Sequence, residues 1–125
     1  MTVHNQLGPG LKEEVYEKAT EVELNRLGMA VQRQFPVRVE YENQEVGLFY
    51  LDLWVGGQVV VEIKALSHQL TKDEIAQVIN YLKAANAPVG LLFNFGRRRL
   101  EYRRVFPPKS PGPIQRTGRD NILKK

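Results

Sequence analysis

The stretch Gln58-Val-Val-Val-Glu-Ile-Lys64 reads as a buried β-strand that carries two charged residues near its end. Side chains alternate between the faces of a strand, so one face carries Val59, Val61 and Ile63, and the other carries Val60, Glu62 and Lys64. A strand so rich in Val and Ile is expected in the middle of a sheet. Because ionised groups rarely stay in such a place alone, we expect partners for Glu62 and Lys64.

A Gly56-Gly57 turn precedes this strand and predicts a tight hairpin with an earlier strand, about Val46 to Val55. Asp52 lies four residues before the turn, and Glu62 lies five after it. The two carboxylates therefore lie close together if the register is right, whereas a slip of one residue would turn one of them to the other face. Asp52 is expected to share its face with Tyr50 and Trp54.

The remaining elements follow from hydrophobic periodicity and breakers. Residues 1–9 read as a loose lead-in. A helix is predicted over Leu11 to Leu27, with a core-facing stripe of Leu11, Val15, Ala19, Val22 and Leu27 that Tyr16 and Leu24 widen. Further elements are predicted in this order: a strand over Met29–Tyr41, the hairpin, a helix over Lys72–Ala85, and strands over Val89–Phe95 and Leu100–Phe106. The order α-β-β-β-α-β-β predicts an α/β (α+β) domain, with helices on a mixed central sheet, over residues 1–106. Residues 107–125 read as a flexible basic tail.

Composition narrows the class of protein. The chain of 125 residues contains no cysteine, which excludes disulfides and thiolate zinc sites and is typical of a reducing, cytoplasmic compartment. No apolar run reaches the length of a membrane span, and we expect no membrane partner. Residues 1–96 carry 8 Lys and Arg against 12 Asp and Glu, whereas residues 97–125 carry 10 against 2. This basic end indicates either contact with a polyanion or a solvated tail.

Asp52, Glu62 and Lys64 together suggest a metal-assisted reaction at phosphate. Carboxylates from adjacent strands can bind a hard cation such as Mg2+. A lysine on the same face can position a water or stabilise developing negative charge. The alternative is a buried Glu-Lys ion pair without catalytic use.

Asp52, the hairpin and Glu62-Ile63-Lys64 resemble the PD-(D/E)xK nuclease motif, which lies in an α-β-β-β-α-β restriction-endonuclease-like core. Gly10-Leu-Lys-Glu13-Glu-Val-Tyr16 resembles the signature of the small GxxExxY family in that superfamily. The similarity covers roughly residues 8–106. Leu51 replaces the proline of the motif, and this departure touches no ligand. The resemblance implies a DNA nuclease that uses Mg2+ or Mn2+.

Residue roles also follow from the resemblance. It implies that Asp52, Glu62, the carbonyl of Ile63 and Glu13 hold the metal, with Lys64 as the catalytic lysine. From the sequence alone, Glu13 is better explained as an acid favoured by the helix dipole, like its neighbour Glu14. Gln77 and Tyr81 resemble the element that follows the lysine in RecB-like and lambda-exonuclease-like enzymes, where it orients the lysine and the DNA backbone. Asn80 and Asn94 are weaker candidates. Tyr16 is interpreted as a packing residue with a satisfied hydroxyl.

Two groups remain outside the motif. Arg97, Arg98, Arg99, Arg103 and Arg104 form a candidate phosphate-contacting edge. His4 and His68 have no ligand spacing and are interpreted as surface residues. The sequence thus predicts an exonuclease-like enzyme of low sequence specificity. Two alternatives stay open: a structure-specific endonuclease such as a junction resolvase, for which a homo-oligomer is expected, and a non-catalytic nucleic-acid-binding module.

Overall fold

A computed structural model describes residues 2–108. Its elements are, in chain order, α1 (Thr2–Leu7), α2 (Glu13–Arg26), β1 (Val31–Tyr41), β2 (Gln44–Val55), β3 (Val59–Lys64), α3 (Lys72–Ala85), β4 (Val89–Asn94) and β5 (Glu101–Val105). The predicted strands and both predicted helices are present. Residues 109–125, most of the predicted tail, lie outside the described part of the chain.

The strands form one five-stranded mixed sheet in the order β1-β2-β3-β4-β5. β2 and β3 pair antiparallel through the glycine turn, as predicted. β3 and β4 pair parallel, because α3 carries the chain from the end of one strand back to the start of the next. One core cluster, on the α3 side, includes Val60, Val78 and Leu82. The second, on the α2 side, includes Tyr16, Val61 and Ile63, so the predicted alternation along β3 is confirmed.

Capping residues explain why α3 has the predicted limits. Thr71 and Glu74 form a capping box at its N-terminus, in which Thr71 accepts a hydrogen bond from the Asp73 amide. Asn86 ends the helix in a left-handed conformation, with φ of 55°. Gly90 lets α3 approach β4, since a Cβ there would lie 2.9 Å from a methyl carbon of Val78. The helix therefore sits firmly on the strand beside β3.

The predicted core face of α2 was right for Tyr16, Ala19 and Leu24, which pack in the core cluster on the α2 side, and wrong for the rest of the stripe. Val15, Val22 and Leu27 are 43%, 67% and 56% exposed, and the buried residues of the helix are Tyr16, Glu17 and Thr20. Two of these three carry a hydroxyl and one a carboxylate, so hydrophobic periodicity points to the opposite face. Tyr16 is fully buried; its hydroxyl donates to the Gly8 carbonyl and accepts from the Leu11 amide, which confirms the interpretation as a satisfied packing residue.

Two expectations about the N-terminus were also wrong. Residues 2–7 form α1 rather than a loose lead-in, and Val3 and His4 are buried. His4 is not a surface residue, because its ring packs against Phe95 and its Nε2 lies 2.9 Å from the Arg97 carbonyl oxygen. His68 is exposed, as expected. None of the helices within residues 2–108 has both the length and the apolar character that crossing a bilayer requires.

Candidate active site

The site lies where β2 and β3 separate. Backbone pairing runs from Val55 opposite Val59 to Leu53 opposite Val61 and then stops. Beyond that point the backbone amides of the two strands donate to side chains instead of to backbone carbonyls. The Asp52 amide donates to Oε2 of Glu62 at 3.0 Å, and the Ile63 amide donates to Oδ2 of Asp52 at 2.8 Å. The predicted register is therefore correct, and the two carboxylates fill the fork between the strands.

The β1–β2 ribbon turns over at the same point. Residues two apart on a strand normally share a face, yet Leu51 belongs to the core cluster on the α3 side and Leu53 to the one on the α2 side. Trp54 packs on the α3 side. The expected common face of Tyr50, Asp52 and Trp54 is thus wrong. The irregularity leaves Asp52 at the seam between the layers, within reach of both helices.

Burial and mutual repulsion disturb both carboxylates. Burial raises the pKa of Asp52 to about 6, and the nearby charges of Glu17 and Glu13 act in the same direction. Burial and then the charge of Asp52 raise the pKa of Glu62 to about 8, while the Lys64 ammonium opposes the rise. Since Glu62 is only 4% exposed, this negative charge is poorly solvated. The fork is therefore a place where a cation would be stabilised.

Glu17 is a site residue that the sequence reasoning missed. It is 6% exposed, and its charge raises the pKa of Asp52. Arg33 donates to it at 2.8 Å, and Gln34 donates to its two oxygens at 3.0 and 2.8 Å. Glu17 follows Glu13 by four residues, which places both acids on one helix face. That spacing was the available signal, but the apolar stripe suggested that this face was solvated.

The α3 side of the fork carries Lys64, Gln77 and Tyr81. Lys64 is half-buried and lowers the pKa of Glu62 through its charge. Burial raises the pKa of the Tyr81 phenol, the charges of Glu62 and Asp52 add to the rise, and a hydrogen bond with Gln77 opposes it. The Tyr81 ring stacks on Phe49 of β2, with centroids 4.5 Å apart. Lys64 and Tyr81 therefore lie near the two carboxylates, whereas Gln77 is exposed on α3 one turn before Tyr81.

The chemistry of the donors fits a divalent cation, although residues 2–108 contain no preformed cluster of three or more His, Asp or Glu side chains that could hold a metal ion. Asp52 and Glu62 supply hard oxygen ligands, which Mg2+ prefers, and their raised pKa values reflect negative charge that lacks compensation. Glu13 is exposed on the first turn of α2 and reaches the site through its field on Asp52. Asp52 and Glu62 are therefore the residues best placed to hold a metal.

The arginines divide into two groups. Arg97 and Arg103 contact Glu101, at 3.8 and 3.4 Å, whereas Arg98, Arg99 and Arg104 make no ion pair with any residue of the described range. A groove of about 860 Å³ is lined by Pro9, Ser67, Gly96, Arg97, Arg98 and Arg99. It lies past the ends of β3 and β4, where Lys64 pairs with Asn94. The arginine turn therefore adjoins the end of the sheet that holds the lysine.

Asn94 fixes the connection that follows Lys64. It is fully buried, and its Oδ1 accepts from the amides of Leu66 and Gly96 at 2.8 and 3.1 Å. Its Nδ2 donates to the His68 carbonyl at 3.0 Å and to Oε1 of Glu101 at 3.3 Å. Asn94 is therefore a structural hub and not part of the carboxylate cluster. Asn80 is exposed on α3.

Comparison with known proteins gives three results. The family model described as "PD-(D/E)XK nuclease superfamily" matches residues 1–105. No curated protein matches the chain. Among solved structures, the crystal structure of SSO0001 is similar, with a TM-score of 0.59 and 14% sequence identity, over 78% of this chain and 50% of that one. At that identity the likeness concerns the fold alone, and the chain spans about half the length of SSO0001.

Proposed function

Because the chain belongs to the PD-(D/E)XK nuclease superfamily, a superfamily of metal-dependent nucleases, we propose that it is a deoxyribonuclease that hydrolyses phosphodiester bonds with Mg2+ or Mn2+. The observation that carries the proposal is the fork between β2 and β3. There Asp52 and Glu62 replace the backbone ladder, and Lys64 acts on Glu62 through its charge.

We assign the metal to Asp52, Glu62 and the backbone carbonyl of Ile63, with Glu13 as an outer ligand that acts through water. A bound Mg2+ or Mn2+ would supply an acidified water and charge stabilisation at the phosphate. The field of Glu13 at Asp52 supports its place in this set. The assignment also agrees with the chemistry of the donors, which are all oxygen atoms.

Lys64 is the proposed catalytic lysine. Its ammonium favours the charged form of Glu62 and is proposed to donate to a water or to a phosphate oxygen at the end of β3. Gln77 and Tyr81 are proposed to orient that lysine and the nucleic-acid backbone. Their spacing of four residues on α3, and the effect of both carboxylates on the pKa of the Tyr81 phenol, support this role. The same pair of residues favours a RecB-like or lambda-exonuclease-like enzyme that cleaves from ends with low sequence specificity.

Two surfaces beside the fork suit a nucleic acid. The arginine groove supplies Arg98 and Arg99, which have no ion pair within the described range and can meet phosphates, whereas Arg97 and Arg103 share Glu101. A second cleft, of about 680 Å³, runs between α3 and the β1–β2 ribbon, and is lined by Arg38, Val39, Glu40, Phe49, Asn80, Tyr81, Lys83 and Ala84. Tyr81 lines this second cleft, and the charges of Glu62 and Asp52 act on its phenol, so the cleft adjoins the two carboxylates.

The test is cleavage of linear, circular and single-stranded DNA with Mg2+ or Mn2+, by the wild type and by Lys64→Ala. Lys18→Ala is a matched control, because that lysine is exposed on α2 and paired with Glu14. We expect cleavage by the wild type and by Lys18→Ala, a loss of about a hundredfold or more in Lys64→Ala, and no product in EDTA. Equal cleavage by wild type and Lys64→Ala would refute the assignment of the lysine.

The choice of substrate separates the proposed enzyme from its alternatives. An exonuclease degrades linear DNA and spares closed circles. Cleavage confined to branched junctions, by a dimer in sedimentation, would identify a structure-specific endonuclease instead. Binding without cleavage in either metal would identify a non-catalytic module on the same fold.

A further inference from the structure

Gln34 has a backbone conformation that a β-strand does not require. Its φ is 54°, in the left-handed region that side-chain-bearing residues seldom occupy. It lies inside β1, between Arg33, which pairs with Leu53, and Phe35, which pairs with Leu51. Gln34 therefore faces Asp52 across the ribbon, at the point where the ribbon turns over. Such a conformation persists only where its surroundings hold it, and it is often found at functional sites.

The side chain of Gln34 shows what holds it. Its Nε2 contacts both carboxylate oxygens of Glu17, at 3.0 and 2.8 Å. Arg33 donates to Oε1 of Glu17 at 2.8 Å, and its Nε lies 3.5 Å from Glu21 on the same helix. Consecutive residues of a regular strand point to opposite faces, so the turned backbone of Gln34 is what allows both side chains to reach one helical carboxylate.

Glu17 in turn acts on the fork. Its partner Gln34 lies opposite Asp52 in the β1–β2 ribbon. The charge of Glu17 raises the pKa of both Asp52 and Glu62. Repulsion from the other two carboxylates would favour movement of the Glu17 side chain away from them. With its oxygens tied by Arg33 and Gln34, it stays in one position beside Asp52.

We propose that Gln34 is a positioning residue, which, with Arg33, clamps Glu17 beside Asp52 and so fixes a third carboxylate next to the two proposed metal ligands. This inference rests on the proposed function for its purpose but on the hydrogen bonds of β1 and α2 for its geometry. In this arrangement Glu17 is the buried acid of α2 beside the fork, and Glu13 is the exposed acid one turn earlier on the same helix.

Two substitutions separate the amide from the backbone conformation. Gln34→Gly removes the amide and suits φ of 54°. Gln34→Ala also removes the amide but keeps a Cβ in the left-handed region. Both variants should bind Mn2+ about fivefold or more weakly than the wild type in calorimetry, because an untethered Glu17 loses conformational entropy on binding. Both variants lose the bonds to Glu17, and Gln34→Ala should melt at a clearly lower temperature than Gln34→Gly, because only glycine relieves the left-handed conformation.

Two further variants complete the design. Glu17→Gln should weaken Mn2+ binding as well, and the double variant with Gln34→Gly should be no weaker than Glu17→Gln, since both changes remove one interaction. Asn43→Gly replaces another left-handed residue, in the β1–β2 turn, and should bind Mn2+ like the wild type. Wild-type Mn2+ affinity in Gln34→Gly, or additive effects in the double variant, would overturn the proposal.

The same variants distinguish this proposal from the proposed function. If the wild type binds no Mn2+, the proposed function fails, and the clamp is then tested by melting temperatures in EDTA. Non-additive shifts for Gln34→Gly and Glu17→Gln support the clamp there, and additive shifts refute it.

Discussion

Asp52 and Glu62 are joined through the backbone, not only by proximity: the Asp52 amide donates to Oε2 of Glu62 at 3.0 Å, while Oδ2 of Asp52 accepts from the Ile63 amide at 2.8 Å. Each carboxylate thus replaces a hydrogen bond that a regular antiparallel ladder would supply. The strands can separate without leaving buried amides unpaired. The cost is two repelling carboxylates in a poorly solvated fork.

Glu62→Gln should therefore stabilise the metal-free protein while it abolishes metal-dependent cleavage. Gln keeps an oxygen that can accept from the Asp52 amide, and it removes one of the two repelling charges. We expect a gain of about 1–3 kcal/mol at pH 8, in proportion to a pKa raised by a few units. Thermal melts in EDTA measure this gain, and a cleavage assay with Mn2+ measures the loss. A variant less stable than the wild type at pH 8 would contradict the repulsion.

Metal-free wild-type protein should lose stability as the pH rises. The folded-state pKa values of Asp52 and Glu62, about 6 and 8, lie above the ordinary values of 3.8 and 4.5. Between pH 4 and pH 8 the folded protein therefore binds more protons than the unfolded chain, and stability falls with rising pH. This contribution is complete below the unfolded-state pKa values and is lost as pH passes the folded-state values.

The measurement for this pH dependence is chemical unfolding in EDTA at a series of pH values. Asp52→Asn/Glu62→Gln is the matched control, because it removes both titrating groups and leaves every other charge in place. The difference in free energy of unfolding between wild type and double variant should grow from pH 4 to pH 8. A constant difference across that range would show that the two carboxylates titrate normally.

The strands and their order could be predicted because they depend on local signals: Val and Ile runs, a Gly-Gly turn, and capping residues around α3. The register of Asp52 and Glu62 followed from counting residues on both sides of that turn. The face of α2 could not be predicted in this way. Its buried side is held by the hydroxyl of Tyr16 and by the carboxylate of Glu17, and both find their partners in distant parts of the chain, at Gly8 and on β1. Hydrophobic periodicity cannot register such contacts.

The left-handed conformation of Gln34 in β1 could not be predicted from the sequence either. Gln34 has no sequence signal for positive φ, unlike the glycines of the turns. Its conformation follows from tertiary contact with Glu17, and it turns the ribbon so that Leu51 and Leu53 enter different clusters. A strict alternation along β2 therefore placed Trp54 on the wrong side of the sheet relative to Tyr50.

The arginines should differ in their effect on nucleic-acid affinity. Arg98→Ala and Arg99→Ala each remove a cation that has no ion pair within the described residues, so each should lower the slope of log affinity against log salt by about 0.9. Arg97→Ala and Arg103→Ala remove charges that Glu101 already compensates in part, and should have a smaller effect. Fluorescence anisotropy of labelled DNA over a salt series, in EDTA, measures these slopes. Equal slopes for the four variants would contradict the idea that Glu101 weakens the contribution of Arg97 and Arg103 to nucleic-acid binding.

Asn94→Ala should destabilise the protein and loosen the connection that follows Lys64. The substitution leaves the partly buried amides of Leu66 and Gly96 without an acceptor, and the unmet amides should cost about 1–3 kcal/mol. Asn80→Ala is the control, because Asn80 is exposed on α3 and should change stability by less than about 0.5 kcal/mol. Chemical unfolding measures both. The Leu66 amide should exchange its hydrogen faster in Asn94→Ala, because it loses its acceptor. DNA cleavage should fall by more than the loss of folded protein explains, because the backbone after Lys64 is no longer fixed. Unchanged exchange at Leu66 would contradict the role of Asn94 as the anchor of this connection.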